Sequence, residues 1–598
     1  MHYQLNFHKL KYPDLQKIPY PHPTQQTDST QSLADSIKEL QGYYPIYHKF
    51  FELNDTNYNQ ITFNHRYQIV DLNTVYDIQE NRIINRDVFI KYSPLLDPIK
   101  YMVGKYDLKD PNLKELPKWS STKKDCNFKL LNPLNASYID TLFCVLSSIL
   151  KNNMGFQHGI DFYGTFLGIQ DKYCMNVEED IDYLLNSSFF NQNLGKKFIL
   201  ENFDTSVLQN IASSSRKMKQ KVQIEEFENV ELDLGIVDIS DTIQDVVPVH
   251  EMIDASQLIL DVAGSGATGH RRDNVASSGA TGHIVYEKCT SITDSENQVS
   301  ENSSDTDSTN TDDFMEDESD EDAVEAEDAD DEWETESEDE TEENFQETLA
   351  YLFDYPVQLI CMERCKGTFD SLLVQNIPVE ECASALFQII MILLTYQKVL
   401  MFTHNDLHTN NIMYVETEQP FLYYKYQDRL YKVPTYGRIY KIIDYGRAIY
   451  RFQKQIFCSD SFAPGGDASS QYNCEPFIKM TKPLLEPNPS FDLCRLGCSI
   501  YDFIFDSNSI TKNEAMEKNE LQRTIQRWCT DDNNRNVLYK KNGEERYPGF
   551  NLYKMIARTV HQHTPERQLD DPWFKQFLVN SEFSQGDPIM DIDSYNML

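Results

Sequence analysis

Residues 404–411 read His-Asn-Asp-Leu-His-Thr-Asn-Asn and follow a long apolar stretch directly. This sets the Asp406 carboxylate and the Asn411 carboxamide five residues apart. On a loop, that pair suits acceptance of a hydroxyl proton by one group and retention of a divalent metal by the other. Thirty-three residues after Asn411, Lys441-Ile-Ile-Asp444-Tyr445-Gly446 is an apolar strand pattern ending in an acid close to a glycine. An acid so placed can bridge Mg2+ to the phosphates of a nucleotide.

The surrounding pattern supplies elements to carry these groups. Residues 60–69, 74–79 and 87–92 are rich in β-branched and aromatic side chains and predict strands. Residues 135–151 have an Asn or Ser to cap a helix and an apolar face at helical spacing. On the far side of a polar segment, 355–362 reads as a buried strand, 379–400 as a long buried helix and 490–505 as a second apolar helix. The Tyr-rich segment 421–436 predicts a hairpin that packs on the surface.

Of the 598 residues, 54 are Lys or Arg and 95 are Asp or Glu, for a net charge of −41. That balance argues against bulk nucleic-acid binding, which needs basic surface to displace phosphate counterions. The acidity is concentrated: 24 of the 43 residues from 301 to 343 are Asp or Glu, and no Lys or Arg lies between Lys288 and Arg364. Such a segment cannot bury enough apolar surface to offset its backbone entropy, so residues 205–345 are expected to be a disordered insertion. Within it lie a basic cluster at 216–221 and a repeated Ser-Gly-Ala-Thr-Gly-His whose Gly264–Gly269 stretch matches GxGxxG; the linker context reads as spacer. No run of 18 apolar residues occurs, and the first residues lack the apolar core of a signal peptide. The expectation is a cytoplasmic protein with free thiols, no membrane partner and no zinc.

Taken in order, the motifs resemble the protein-kinase superfamily, whose catalytic loop reads HRDxKxxN and whose metal motif reads DFG. Val88-Phe-Ile-Lys91 is similar to its lysine strand. Gln358-Leu-Ile-Cys-Met362-Glu363-Arg364-Cys365 is similar to its hinge strand, and Asp492-Leu-Cys-Arg-Leu-Gly497 to its DxWxxG helix. Cys474-Glu475-Pro476 is a scrambled APE. The Asn-, Ile- and Tyr-rich composition and the IIDYGRA spelling look like the kinase-like proteins of giant DNA viruses, which would place the chain in host cytoplasm or virion. The resemblance implies an α+β, two-lobed kinase-like fold with the acidic insertion in its small lobe. Its divisions would be an N-terminal extension (1–59), the small lobe (60–204 and 346–362) around the insertion, and a large lobe (363–598).

Carried over by position, the resemblance implies ATP and Mg2+ as cofactors and a Ser or Thr hydroxyl of a protein as acceptor. Asp406 would orient or deprotonate that hydroxyl, and Asn411 and Asp444 would bind Mg2+. Lys91 would contact the α- and β-phosphates, with Asp140 as its acidic partner and Glu115 as the alternative. Met362 would guard the back of an adenine site whose backbone contacts come from Glu363 and Cys365. Asp492 would tie down the catalytic loop. Ser459, Ser461, Ser469, Ser470 and Tyr472 are candidate phosphorylation sites in the 444–490 segment.

The pattern also departs from the family. No glycine occurs between Gly42 and Gly104, so a Gly-rich phosphate lid is missing. Asn405 replaces the arginine that reads activation-loop phosphorylation, and His408 stands where a lysine approaches the transferred phosphate; a neutral imidazole stabilises less negative charge there. The HNDLHxxN spelling also looks like small-molecule phosphotransferases of the same broad fold. A third reading is a pseudokinase scaffold that binds basic proteins through its acidic arm.

Overall fold

Asn135 and Gly155 delimit the helix on which the architecture turns. In the computed structural model, which describes residues 5–19, 32–178, 180–202, 348–505, 519–580 and 588–598, helix α1 spans Ala136–Met154. The Asn135 side chain accepts the Ser137 N–H at its start, and Gly155 closes it at φ +75°, a left-handed backbone that glycine adopts without strain. Residues Ser137 to Leu150 are all buried, so α1 is a core helix on every face. Buried hydroxyls along it find local acceptors: Thr141 Oγ1 donates to the Ser137 carbonyl, and Ser147 Oγ meets the Tyr396 hydroxyl at 2.7 Å.

The chain is α+β with several separate sheets. Strands β1 (Phe7–Lys9), β2 (Ile37–Gln41), β3 (Ile61–Phe63), β4 (Tyr67–Ile69), β5 (Thr74–Asp77), β6 (Arg82–Asn85) and β7 (Val88–Pro94) precede α1. After it come β8 (Phe162–Asn176), β9 (Phe198–Glu201) and the long β10 (Leu349–Glu363). The largest sheet runs β2-β8-β10-β7, with β9 also on β10. Its register sets Lys91 opposite Ile360 and Phe89 opposite Met362. Directly opposed residues share a face, so Lys91 and Met362 look to the same side of the sheet. Leu349 pairs with Glu201, so the chain leaves and re-enters this sheet at neighbouring strand ends. The acidic segment, its basic cluster and its glycine repeat lie outside the described residues.

Two expectations about the first ninety residues are corrected. The described part of residues 1–59 is no appended extension: β2 is an edge strand of the main sheet, β1 pairs with β3, and Tyr43, Tyr44, Ile46 and Tyr47 belong to the core. The predicted strand at 60–69 divides into β3 and β4, which join different sheets across Asn64-His65-Arg66.

Helix α2 (Val379–Leu400) follows β10, and its charges are arranged along its dipole, with Glu380 and Glu381 in the first turn and Lys398 in the last. By length and composition α1 (within Phe128–Met154) and α2 could each cross a membrane, yet 83% and 89% of their apolar windows are buried inside the protein. Strand β11 (Gly367–Thr368) pairs with β12 (Ile412–Glu416), which pairs with β15 (Arg438–Ile442). Between the last two, β13 (Phe421–Tyr426) and β14 (Arg429–Pro434) form the expected hairpin. It is not surface packing. Leu422, Tyr424, Tyr431 and Val433 are buried, Tyr431 meets Phe387 of α2 ring to ring at 5.3 Å, and short C-terminal strands flank it on both sides. Tyr424 donates its hydroxyl to His158 Nε2 at 2.7 Å, while His158 Nδ1 donates to the Tyr440 carbonyl; burial holds this imidazole neutral, with its pKa down at about 3. The hairpin β16 (Ile449–Phe452) and β17 (Gln455–Cys458) and helices α3 (Phe491–Ile504), α4 (Glu520–Trp528) and α5 (Asn551–Thr559) complete the surroundings of the site. The eleven cysteines among the described residues are all free thiols.

Candidate active site

Helix α2 stops at Met401, whose φ of +49° turns the chain into the 404–411 loop. The loop is fixed at both ends and in the middle. Thr403 and Ile449 exchange backbone hydrogen bonds, each at 2.9 Å. Asp492, the second residue of α3 and 1% exposed, accepts the His404 N–H with Oδ2 at 2.8 Å and the Asn405 N–H with Oδ1 at 3.0 Å. Two backbone donors that would otherwise be buried without partners are thus satisfied by one carboxylate. His404 bridges onward: Nε2 lies 2.9 Å from the Ile443 carbonyl and Nδ1 accepts the Asp406 N–H at 3.3 Å.

Pairing of β12 with β15 closes the 33-residue gap between the two candidate metal ligands. Ile412 lies opposite Ile442, and one residue outward the Ile443 N–H donates to the Asn411 carbonyl at 3.0 Å. Asn411 and Asp444 therefore sit side by side at one end of the sheet. Asn411 Nδ2 donates to the Asp406 carbonyl at 2.9 Å, which turns Oδ1 into the atom able to face a cation. Asp444 adopts φ +64°, an uncommon backbone for a residue with a Cβ and one that clusters at functional sites. Among the described residues no three His, Cys, Asp or Glu side chains form a metal cage. One carboxylate and one carboxamide fit Mg2+, which keeps much of its water and takes its remaining oxygens from substrate phosphate.

Lys91 joins this end of the sheet to the core helix. Its Nζ lies 2.8 Å from Asp140 Oδ2 and 2.9 Å from Asp444 Oδ1. The second Asp140 oxygen accepts the Tyr445 N–H at 2.9 Å, so one buried aspartate fixes both the lysine and the residue after Asp444. Burial opposes charge on Lys91, but the two carboxylates outweigh it and hold the ammonium above the ordinary lysine range. Desolvation opposes charge on Asp444, whose side chain is 47% exposed, but the Lys91 ammonium outweighs it and holds the acid below the usual carboxylate range. The short reach of Asp140 is no handicap, because α1 packs directly under the sheet. Glu115 is exposed and takes no part.

The remaining sequence candidates fall as follows. His408 is half-buried beside Asp406 and burial lowers its pKa, which keeps it neutral. Met362 is 6% exposed on the Lys91 face of the sheet. The Glu363 N–H donates to the Asp161 carbonyl, and its carboxylate meets Lys151 and Lys441 at 2.9 and 2.7 Å, so its side chain is engaged within the protein. Cys365 is partly buried just beyond, its thiol pushed up to about 12 by burial. Of the candidate phosphorylation sites, Ser459 and Tyr472 are buried, whereas Ser461, Ser469 and Ser470 are partly accessible. The Tyr472 hydroxyl donates to Asn405 Oδ1 at 2.6 Å.

Three residues at the site were not singled out from the sequence, although Arg495 lies within the Asp492–Gly497 stretch and Arg447 within IIDYGRA. Tyr553 donates its hydroxyl to Asp406 Oδ1 at 2.8 Å, Arg495 Nε donates to the Tyr553 oxygen at 3.0 Å, and Arg447 Nη1 lies 3.9 Å from Asp406 Oδ2. Arg447 follows Gly446 directly and was within reach of the sequence argument; Tyr553, 147 residues from Asp406, was not. No protein-family model matches the chain, and no curated protein matches it.

Proposed function

We propose that this α+β unit is a two-lobed kinase-like fold and that the chain is a Mg2+·ATP-dependent protein kinase acting on Ser or Thr hydroxyls. The observation that carries the reading is Lys91 held between Asp140 and Asp444, the three positions to which the resemblance assigns the phosphate lysine, its first-choice acidic partner and a metal ligand. Lys91 is then the residue that engages nucleotide phosphate, while Asn411 and Asp444 hold Mg2+, which supplies positive charge against the phosphate oxygens. Asp406 orients the acceptor hydroxyl. The acceptor oxygen bonds to the γ-phosphorus as the bond from that phosphorus to the β-phosphate bridging oxygen breaks; ADP leaves, and Asp406 receives the hydroxyl proton. Asp492 and His404 support this by fixing the loop backbone, so little reorganisation remains at the moment of transfer.

A second reading, a scaffold that binds basic proteins through its acidic arm, is favoured by the strands before Lys91: β5 and β6 are joined by Ile78-Gln79-Glu80-Asn81 without a glycine. The two readings separate in one assay. Labelled Mg·ATP is offered a mixed protein extract and, in parallel, a set of small hydroxylated metabolites, with wild type beside Asp406→Asn. Labelled protein that vanishes in the variant supports the kinase. Label in metabolites alone moves the assignment to small-molecule phosphotransfer, and silence together with no Mg·ATP binding leaves the scaffold.

A further inference from the structure

The Asp406 side chain is held by Tyr553, a residue outside every recognised motif. Its Oδ1 accepts the Tyr553 hydroxyl at 2.8 Å, and the same phenol oxygen accepts Arg495 Nε at 3.0 Å. Charge-assisted bonds at both ends of such a chain polarise one another, so the pair is stronger than either bond alone. The ring itself is confined. It stacks on Phe550 at 5.4 Å and 15°, with the guanidinium carbons of Arg495 and Arg447 at 5.1 and 5.9 Å from its centroid. Arg495 belongs to α3, the helix whose Asp492 clamps the loop backbone, and Tyr553 belongs to α5. One helix therefore governs both the backbone and, through Tyr553, the carboxylate of the same loop.

We propose that Tyr553, backed by Arg495, is the positioning residue of the Asp406 carboxylate: it fixes the rotation of that group and dedicates Oδ1 to the protein, which assigns Oδ2 to the incoming hydroxyl. The inference rests on the kinase reading. It follows from which oxygen is engaged: Oδ1 accepts the Tyr553 phenol at hydrogen-bond distance, while among the described residues the cation that the ion pairs place nearest Oδ2, Arg447, stands 3.9 Å away, beyond a hydrogen bond. Arg447 adds positive charge beside Oδ2 without occupying it. A carboxylate free to rotate would present either oxygen and spend part of its time misaligned, a loss that falls on turnover and not on nucleotide binding.

The test uses the full chain with γ-labelled Mg·ATP and a fixed, saturating pool of protein acceptors. Tyr553→Phe keeps the ring, its stacking and its arginine contacts and removes only the hydroxyl. The expected result is a fall in kcat of about tenfold, with KM for ATP and Mg·ATP binding unchanged and the thermal midpoint lowered only by the loss of the two hydroxyl bonds. In an Asp406→Asn background the same substitution produces no further loss in the residual rate, because the group it positions is gone. An unchanged or raised kcat in Tyr553→Phe overturns the positioning role alone, as does a full additional loss in the double variant. A wild type that transfers no label at all overturns the kinase reading and this inference with it.

Discussion

Asp492 reaches across from α3 to accept the backbone N–H of His404 at 2.8 Å, and its other oxygen takes the next N–H along, that of Asn405. A loop residue has no regular secondary structure to hold it, so the backbone placement of Asp406 leans heavily on this buried side chain, while Tyr553 orients its carboxylate. Burial raises the Asp492 pKa, which shows how much desolvation is tolerated to keep the clamp in place. Asp492→Asn offers one oxygen where two are needed and turns an amide donor toward a backbone donor. The expected cost is about 1–3 kcal/mol in stability and roughly a hundredfold in phosphate transfer. Urea unfolding and labelled transfer read the two effects separately; full activity with reduced stability would remove Asp492 from any role in placing Asp406.

Lys91 and Asp140 form the next testable unit. Lys91→Met leaves Asp140, 2% exposed, without its cation; removal of one partner of a buried pair is more damaging than removal of both. Because Lys91 is itself 26% exposed, the expected loss is about 2 kcal/mol, below the range for fully buried pairs. Addition of Asp140→Asn recovers part of the stability while transfer activity stays abolished, since the lysine is absent in both variants. A double variant less stable than Lys91→Met by the full cost of Asp140→Asn would mean that the two residues do not couple.

On the proposed kinase reading, Asn405 stands where the arginine that reads phosphorylation would be, and it is tied instead to the Tyr472 hydroxyl. The asparagine accepts the Tyr472 hydroxyl and donates Nδ2 to the Arg447 carbonyl at 3.0 Å, so it links the segment after Asp444 to the 404–411 loop without phosphate. Phosphatase treatment of the purified protein is therefore expected to leave transfer activity unchanged. Tyr472→Phe is expected to lower activity several-fold and stability by about 1 kcal/mol. Activity that disappears on dephosphorylation would show that the link is not sufficient.

How much of this was legible in the sequence depended on whether a signal was local. The helix at 379–400 was readable to the residue, because a run of apolar side chains begins after Pro378 and ends where the loop motif starts. Asp140 could be singled out since an acid on an otherwise apolar helix face has few reasons to be there. Asp492 was placed by its spacing to Gly497. By contrast, the burial of the 421–436 hairpin was missed because Tyr carries a polar end, and its alternation does not say whether a second layer covers it. The N-terminal strands were missed because β1 and β2 are short and gain their stability from partners 56 and about 130 residues away. Tyr553 had no signal at all: a tyrosine on a nine-residue helix is unremarkable until the fold sets it against Asp406.

Glu363 illustrates the same limit and gives the last prediction. The sequence reading placed its backbone against a ligand and gave no role to its side chain, which is the centre of a buried charge cluster. Its Oε1 accepts the Asp161 N–H at 2.8 Å and meets Lys441, its Oε2 meets Lys151, and Lys151 and Arg86 both pair with Asp161. Burial pushes the Glu363 pKa up, but Lys441, Lys151 and the Asp161 N–H outweigh it and bring it down to about 2, against an ordinary value of 4.5. With the folded pKa below the unfolded one, the unfolded chain binds more protons between those two values, so this group's stabilisation is complete above about pH 4.5 and drains away as pH falls toward 2. Glu363→Gln strands Lys441, which is 1% exposed, and is expected to cost about 3–5 kcal/mol at pH 7. The difference between wild type and variant then narrows as the pH of urea unfolding is lowered from 4.5 toward 2, since protonation removes from the wild type the charge that the variant lacks at every pH. A difference that stays constant across that window would mean that the Glu363 charge contributes nothing to holding the end of β10 against α1 and β15.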